Sequence, residues 1–344
     1  MRRLPIVLAC VALLAGCGEK SEPGGGGDGG GPARPLRLML DYFPNADHAG
    51  IYAAQASGAY ERAGLDVEIK PPPDPSAPLK LLLAGKTDLA ISYEPELLLA
   101  RDKGADLVAV GALVQKPLTS LMAVGKAGVK TPRDLRGKRV GTAGIPYQAA
   151  YLKTILDTAG VEPGSVKETN VGFNLVGAML SGKVDATLGA FWNYEGTDLA
   201  RRGRDPVILR MEKLGVPTYA ELVFVARRRD LDQEFSARVR RFLQATGRGH
   251  AALKADPEAG VDALLEADPG LDRGLQEAVV KATLPVFFPA AGRPFGYQDA
   301  RGWQRYADWM LEAGLIKQRQ VAERVLTNEF LAGQGLDPGT ISQD

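Results

Sequence analysis

The chain has 344 residues, of which 24% are charged and 45% hydrophobic, and 42 Lys plus Arg against 41 Asp plus Glu give a formal net charge of +1. This composition is typical of a soluble globular protein with room for two lobes, and it offers no basic surplus for nucleic-acid binding. Two histidines cannot supply a His-rich metal site, and both cysteines lie in the first 17 residues, which excludes cysteine redox chemistry in the body of the protein.

The first segment, residues 1–16, is expected to be a targeting signal that is cleaved off. Two arginines precede a short apolar run, which is typical of a secretory signal peptide and too short to span a bilayer. The run ends in Leu14-Ala15-Gly16-Cys17, which resembles a bacterial lipobox and implies acylation of Cys17 (lipidation). A plain signal peptide with an incidental cysteine is the alternative.

A glycine-rich stretch over residues 17–35 follows the predicted cleavage point. Such sequence cannot bury apolar surface and behaves as a flexible coil. We therefore expect a tether that holds a soluble body to the extracytoplasmic face of a bacterial cell membrane through its lipid alone.

From residue 36 onward, short apolar runs alternate with longer amphipathic ones. The first block predicts strands over residues 36–40, 65–69, 88–92 and 106–114, with helices over 48–63, 77–83 and 96–103. After a strand over 120–124, the second block predicts strands over 139–142, 166–171 and 186–191, with helices over 147–159 and 175–180. A β-rich run over 221–226 follows, and the chain is predicted to be helical from residue 231.

This alternation predicts an α/β protein with two lobes, crossing strands and a helical C-terminal tail. The first lobe is assigned to residues 36–118 and 225–344, and the second to residues 119–224. Ligands of open α/β sheets bind outside the carboxyl ends of the strands, so two facing sheets are expected to enclose one cleft. Hinge closure is the expected motion.

Aromatic side chains beside polar or acidic ones follow four of the predicted strands. The candidates for ligand contact at these junctions are Asp41, Tyr42, Asn45, His48, Tyr93, Glu94, Gly144, Tyr147, Trp192, Asn193, Tyr194 and Glu195. One aromatic residue at a strand end often only covers a core, but four such junctions together predict a shared aromatic-lined pocket.

Two stretches of the sequence carry a family resemblance. The first runs Leu40-Asp41-Tyr42-Phe43-Pro44-Asn45 and Asp47-His48-Ala49-Gly50-Ile51-Tyr52, and the second is Phe191-Trp192-Asn193-Tyr194-Glu195-Gly196. They resemble the pyrimidine-type periplasmic binding proteins, which are solute receptors of ATP-binding-cassette importers within the wider group of sulfonate receptors and thiamine-pyrimidine synthases. The likeness implies a type II binding-protein fold with two lobes and a hinge.

The resemblance implies a monomeric solute receptor without a cofactor that delivers a thiamine pyrimidine precursor, such as formylaminopyrimidine or hydroxymethylpyrimidine, to a permease and its ATPase. Glu195 and Asp41 are candidates to accept a hydrogen bond from the amine of the ring, with helix capping as the alternative for both and for His48. The expected stacking walls are Tyr93, Tyr147, Trp192 and Tyr194.

The synthases of this group share the fold but carry out chemistry. The resemblance places their Schiff-base lysine, and a histidine four residues later, at positions that here read Ser92 and Glu96. Their iron-holding cysteines are also missing from residues 214–225. Without an amine or thiolates we expect no synthase activity and no metal site.

Three alternatives stay open at this point. A riboflavin receptor would use the same aromatic stacking on a larger ring. A sulfonate or nitrate receptor ranks below it, because the strand-end loops are acidic and repel small anions. A sensor lipoprotein with no transport role is the alternative from a different class.

Overall fold

The structure, a computed structural model, describes residues 35–334. The predicted signal peptide, Cys17 and all but the last residue of the predicted tether lie outside the described residues. Along the part of the chain that the structure describes, no helix combines the length and apolar character needed to cross a membrane.

Ten strands within residues 35–334 form two five-stranded sheets. They are β1 (Leu36–Met39), β2 (Val67–Lys70), β3 (Leu89–Ser92), β4 (Leu107–Val114), β5 (Thr119–Val124), β6 (Arg139–Thr142), β7 (Lys167–Asn170), β8 (Ala186–Phe191), β9 (Pro206–Arg210) and β10 (Leu222–Arg227). The first sheet has the order β2-β1-β3-β10-β4 and the second has the order β7-β6-β8-β5-β9.

The two sheets share one topology. In the first, β1 pairs in parallel with β2 and β3, and β10 runs antiparallel between β3 and β4. In the second, β6 pairs in parallel with β7 and β8, and β5 runs antiparallel between β8 and β9. The strand that arrives from the other sheet therefore occupies the same place in both.

The chain crosses between the sheets twice, after β4 and after β9. Because β10 pairs in the first sheet from Leu222 onward, the chain has returned to that sheet by this residue. The predicted α/β class is confirmed, whereas the residue limits of the lobes stay a prediction.

Eleven α-helices lie in the described part of the chain. They are α1 (Ala49–Ala56), α2 (Pro78–Leu83), α3 (Glu94–Asp102), α4 (Pro146–Ala159), α5 (Leu175–Leu180), α6 (Glu195–Arg201), α7 (Gln233–Ala255), α8 (Pro257–Ala267), α9 (Arg273–Phe287), α10 (Ala300–Glu312) and α11 (Ala322–Val325). The last five form the predicted helical tail.

One prediction of local structure was wrong, and one strand was missed. The helix predicted over 48–63 ends at Ala56, because Gly58 has a left-handed φ of 69° that turns the chain. The strand β9 was not predicted, since its apolar residues number only three and follow a charged loop.

A repeated ion pair marks the internal likeness of the sheets. Arg37 at the start of β1 donates from its backbone and guanidinium nitrogens to Asp88, just before β3, at 2.7–3.0 Å. Arg139 at the start of β6 donates in the same way to Asp185, just before β8, at 2.8–3.0 Å. Each pair joins the first and third parallel strands of its sheet.

Helices α1 and α7 approach each other at glycine positions. The backbone of α1 lies so near Gly249 that a Cβ there would overlap the carbonyl oxygen of Gly50 and the amide of Ala54. The first helix therefore sits directly against the helical tail, and this packing holds the loop that precedes it.

We expect Gly249→Ala to lower the free energy of unfolding by about 1–3 kcal/mol, because the atoms it would meet belong to backbone that cannot rotate away. Gly247→Ala in the same helix is the matched control, since its Cβ would meet only Phe295 at 3.4 Å and the change favours helix. Urea unfolding measures both variants beside the parent protein. Equal stability of the two variants would contradict the close helix contact.

Candidate functional site

A cavity lies where β1, β3, β6 and β8 end, between the two sheets. Its lining residues are Asp41, Tyr42, Asn45, Asp47, Tyr93, Ala143, Ile145, Tyr147, Gln148, Leu175, Gly189, Phe191, Tyr194 and Glu195. The space between them measures about 390 Å³, part of it open to solvent, but only about 20 Å³ admits the centre of a water molecule. The walls therefore stand close together, and we call the narrow space between them the slot.

Aromatic rings from both sheets face this slot. The rings of Tyr93 and Tyr147, which follow β3 and β6, lie 5.4 Å apart at 50°. Tyr42 reaches across the slot and donates its hydroxyl hydrogen to the carbonyl oxygen of Phe173 at 2.7 Å. The ring centres of Tyr194 and Phe43 lie 6.0 Å apart in an edge-to-face arrangement. Several of the predicted aromatic residues are thus brought to one place.

Asp41 is fixed by two donors. His48 Nε2 lies 2.9 Å from Oδ1, and the Tyr93 hydroxyl donates to Oδ2 at 2.9 Å. His48 itself does not line the cavity, makes no side-chain cap on α1, and leaves Nδ1 buried without a hydrogen bond to any described residue. Its ring contacts the site at the Asp41 carboxylate.

Glu195 begins α6 and bridges the turn before that helix. Its Oε2 accepts a hydrogen bond from the backbone N–H of Phe191 at 2.7 Å, and 7% of the residue is exposed. Burial raises the pKa of Glu195 to about 8. One oxygen thus has a structural role in the turn, while the residue also lines the cavity.

Asp47 is the third carboxylate of the wall, and the sequence analysis missed it. It is 2% exposed, and its Oδ1 accepts from Asn193 Nδ2 at 2.7 Å and lies 3.2 Å from Thr283 Oγ1. Burial raises the pKa of Asp47 to about 6. The only sequence signal was Asn45, which accepts from the Asp47 N–H at 2.8 Å and so caps a short 3₁₀ turn over Ala46–His48.

Asn193 and Glu94 do not reach the cavity. Asn193 is fully buried and gives its second amide hydrogen to Thr283 Oγ1 at 2.7 Å. Glu94 is buried as well and accepts from the backbone N–H of Ala220 at 2.7 Å, near the return crossing. Both side chains join separate parts of the chain instead of facing the slot.

Trp192 and Gly144 also lie outside the lining. The Trp192 indole donates to the carbonyl oxygen of Pro117 at 3.0 Å, and the Arg210 guanidinium lies over its ring at 3.9 Å. Gly144 has a φ of 82° and its Cα faces the side chain of Asn170. The structure does not bring these two predicted residues to the cavity.

Gln148 is another lining residue that the sequence analysis missed. Its Oε1 accepts from the Ala143 N–H at 2.8 Å. A Cβ on Gly189, where φ is 114°, would overlap this amide, so only glycine leaves room for it. Nothing in residues 35–334 brings three or more His, Cys, Asp or Glu side chains together as a metal site.

We expect thermal stability to fall as pH rises from about 5 to 8. Burial raises the pKa of Glu195 from 4.5 to about 8, of Glu221 to about 7 and of Asp47 to about 6. Between its unfolded and folded values, each group keeps its proton only in the folded state, so raising the pH favours unfolding. Glu195→Gln should flatten this fall, whereas Glu162→Gln, at an exposed position, should not. If the melting temperature falls equally steeply with pH in the parent protein and in Glu195→Gln, Glu195 is not a buried acid with a raised pKa.

Three relatives match most of this chain. A protein of Haemophilus influenzae named for thiamine biosynthesis is 37% identical over 283 residues, which cover 82% of this chain and 88% of its own. The formylaminopyrimidine-binding protein of Halalkalibacterium halodurans is 32% identical and covers 84% and 88%. A 4-amino-5-hydroxymethyl-2-methylpyrimidine phosphate synthase of Legionella pneumophila is 28% identical and covers 86% and 92%.

Solved structures agree on the fold. The alkanesulfonate-binding protein SsuA of Xanthomonas axonopodis pv. citri, bound to MOPS, superposes with a TM-score of 0.65 at 22% identity, over 86% of this chain and 99% of its own. At this identity the likeness shows the two-lobed binding-protein fold alone. The NMT1/THI5-like family matches residues 45–260. This chain therefore belongs to the NMT1/THI5-like family.

Proposed function

We propose that the protein is a solute-binding protein that takes a thiamine pyrimidine precursor, an aminopyrimidine such as formylaminopyrimidine or hydroxymethylpyrimidine, into the slot between its sheets. The observation that carries this proposal is the lining itself, which combines aromatic rings with carboxylates in a narrow space. The formylaminopyrimidine-binding relative supports the same ligand class.

A flat heterocycle matches the chemistry of this lining, because its faces can contact aromatic rings while its edge meets polar groups. Tyr93 and Tyr147 offer ring surface from the two sheets, and such aromatic pairs contribute about 0.5–1.5 kcal/mol beyond area burial. Asp41 and Glu195 are acceptors for the exocyclic amine of the ring. Where the carboxyl group is ionised, such a charge-assisted hydrogen bond is roughly twice as strong as a neutral one.

Binding without chemistry is the better supported activity, although a synthase is among the relatives. At the position that the resemblance assigns to a Schiff-base lysine, Ser92 donates its hydroxyl hydrogen to Glu96 Oε2 at 2.6 Å. A buried hydroxyl that hydrogen-bonds to a carboxyl cannot form an imine. The likeness to a sulfonate receptor carries only the fold, and the acidic wall disfavours an anion.

As a component of an importer, the protein would deliver its ligand to a permease and its ATPase at the extracytoplasmic face of the membrane. The family resemblance of the sequence supports these partners. The lipobox-like run ending at Cys17 supports attachment by a lipid, with the glycine-rich stretch as the tether.

We expect Glu195→Gln to weaken formylaminopyrimidine binding about 10- to 100-fold in calorimetric titration. The single amide oxygen must either accept from Phe191 N–H, which turns the NH₂ group toward the ligand's amine, or turn to the ligand and leave that N–H unpaired. Glu94→Gln is the matched control, because it changes a buried glutamate outside the lining.

Unchanged affinity in Glu195→Gln with a lowered melting temperature would assign Glu195 to the turn alone. Failure of the parent protein to bind any aminopyrimidine, with binding of riboflavin or taurine instead, would overturn the proposed function.

We expect Cys17→Ser to abolish acylation and to move the protein from the detergent phase to the aqueous phase. Cys10→Ser is the matched control, since that cysteine lies within the predicted signal peptide and should leave acylation intact. Labelling with a radioactive fatty acid measures both variants. Labelled Cys17→Ser would exclude Cys17 as the anchor.

A further inference from the structure

The wall of the slot carries acidic side chains and no basic ones. Three of its side chains bear a carboxyl group, and among the described residues that line it none is Lys, Arg or His. The His48 side chain lies behind the wall, where its Nε2 is hydrogen-bonded to Asp41 Oδ1. A ligand that enters the slot therefore meets acceptors and aromatic faces, with no cationic side chain.

Backbone donors at the strand ends could hold an anion, as helix N-termini and turns do in many phosphate sites. Here a side-chain acceptor already occupies three of these N–H groups. The pairs are Ala143 with Gln148 at 2.8 Å, Phe191 with Glu195 at 2.7 Å, and Asp47 with Asn45 at 2.8 Å. An anionic group would have to displace one of these side-chain acceptors before it could accept from the N–H group. Two of the three pairs also contain an acidic residue of the wall, Glu195 in one and Asp47 in the other.

Asp47 is held in place by residues from two other elements. Asn193 comes from the loop after β8 and Thr283 from α9, and both hold the same oxygen. Because the carboxylate is 2% exposed and clamped from two elements, it cannot rotate away from an incoming negative charge. With a pKa of about 6 it is mostly ionised at pH 7.5.

We propose that the slot excludes phosphate esters of its heterocycle, and that Asp47 is a residue that determines this specificity. The inference rests on the proposed function and narrows it to aminopyrimidines without an anionic substituent. Like charges brought together in a desolvated site repel each other strongly, so the ester is expected to bind about 100-fold or more weakly.

The experiment titrates the full chain at pH 7.5 with hydroxymethylpyrimidine, its phosphate monoester and a neutral ether of similar size. The alcohol and the ether should bind, and the ester should bind at least about 100-fold more weakly than the alcohol. The ether is as large as the ester but carries no charge, so it shows whether weak binding of the ester results from its charge or from its size. An ether as weak as the ester, or an ester within about threefold of the alcohol, would overturn the proposal.

Two variants test Asp47 itself. Asp47→Asn removes the charge but keeps an oxygen for Asn193, so the ratio of ester to alcohol dissociation constants should narrow about tenfold. Asn193→Ala removes one donor to Asp47 but leaves its charge. The affinities for ester and alcohol should therefore fall together, with the ratio of their dissociation constants unchanged. An unchanged ratio in Asp47→Asn would overturn the role of Asp47. If the parent protein binds formylaminopyrimidine but neither the alcohol nor the ether, this inference alone is overturned. If it binds none of the three, the proposed function fails, and this inference fails with it.

Discussion

Carboxylates buried where the two sheets meet impose the central constraint on this structure. A charge removed from water costs several kcal/mol unless fixed donors replace the lost hydration. Asp47 receives its donors from Asn193 on one sheet's loop and from Thr283 on the helical tail. The arrangement therefore needs three separate parts of the chain in register.

The repeated topology explains how such a site arises at all. Parallel strands direct their carboxyl ends to one edge, and each sheet has the same strand order with one antiparallel strand inserted. The ion pairs Arg37–Asp88 and Arg139–Asp185 fix equivalent strands in both sheets. Two similar edges face each other, so side chains that follow β1 and β3 meet those that follow β6 and β8. The slot is a consequence of this facing arrangement, and its chemistry depends on the few residues at each strand end.

Reasoning from strand ends predicted the architecture and located Asp41, Tyr93, Tyr147 and Glu195, all of which line the slot. Spacing alone cannot tell which way a side chain points within a turn. The four residues from Trp192 to Glu195 are consecutive, yet Trp192 and Asn193 turn to Pro117 and Asp47 while the next two line the slot. Whether the lining residues contact a ligand stays a prediction.

Asp47 and Gln148 were missed for a related reason. Both lie one or two residues inside a helical turn, where capping is the ordinary role of a polar side chain. Gln148 accepts from the Ala143 N–H, which precedes its helix, and it still lines the slot. Sequence reasoning treated capping and ligand contact as alternatives, but a strand-end acceptor satisfies the backbone and forms the wall at once.

Side chains that both accept from the backbone and line the slot help to explain how one fold binds different ligands. In a slot built from strand ends, the backbone supplies N–H donors whatever the side chains are, and an unoccupied set of them favours an anion. Here glutamate, glutamine and asparagine side chains accept from those donors and present their remaining surface to the cavity. At these positions the wall therefore offers side-chain oxygens in place of free N–H donors. Ligand class in such a fold therefore depends on the residues that cap the strand ends, and a likeness of fold alone does not reveal it.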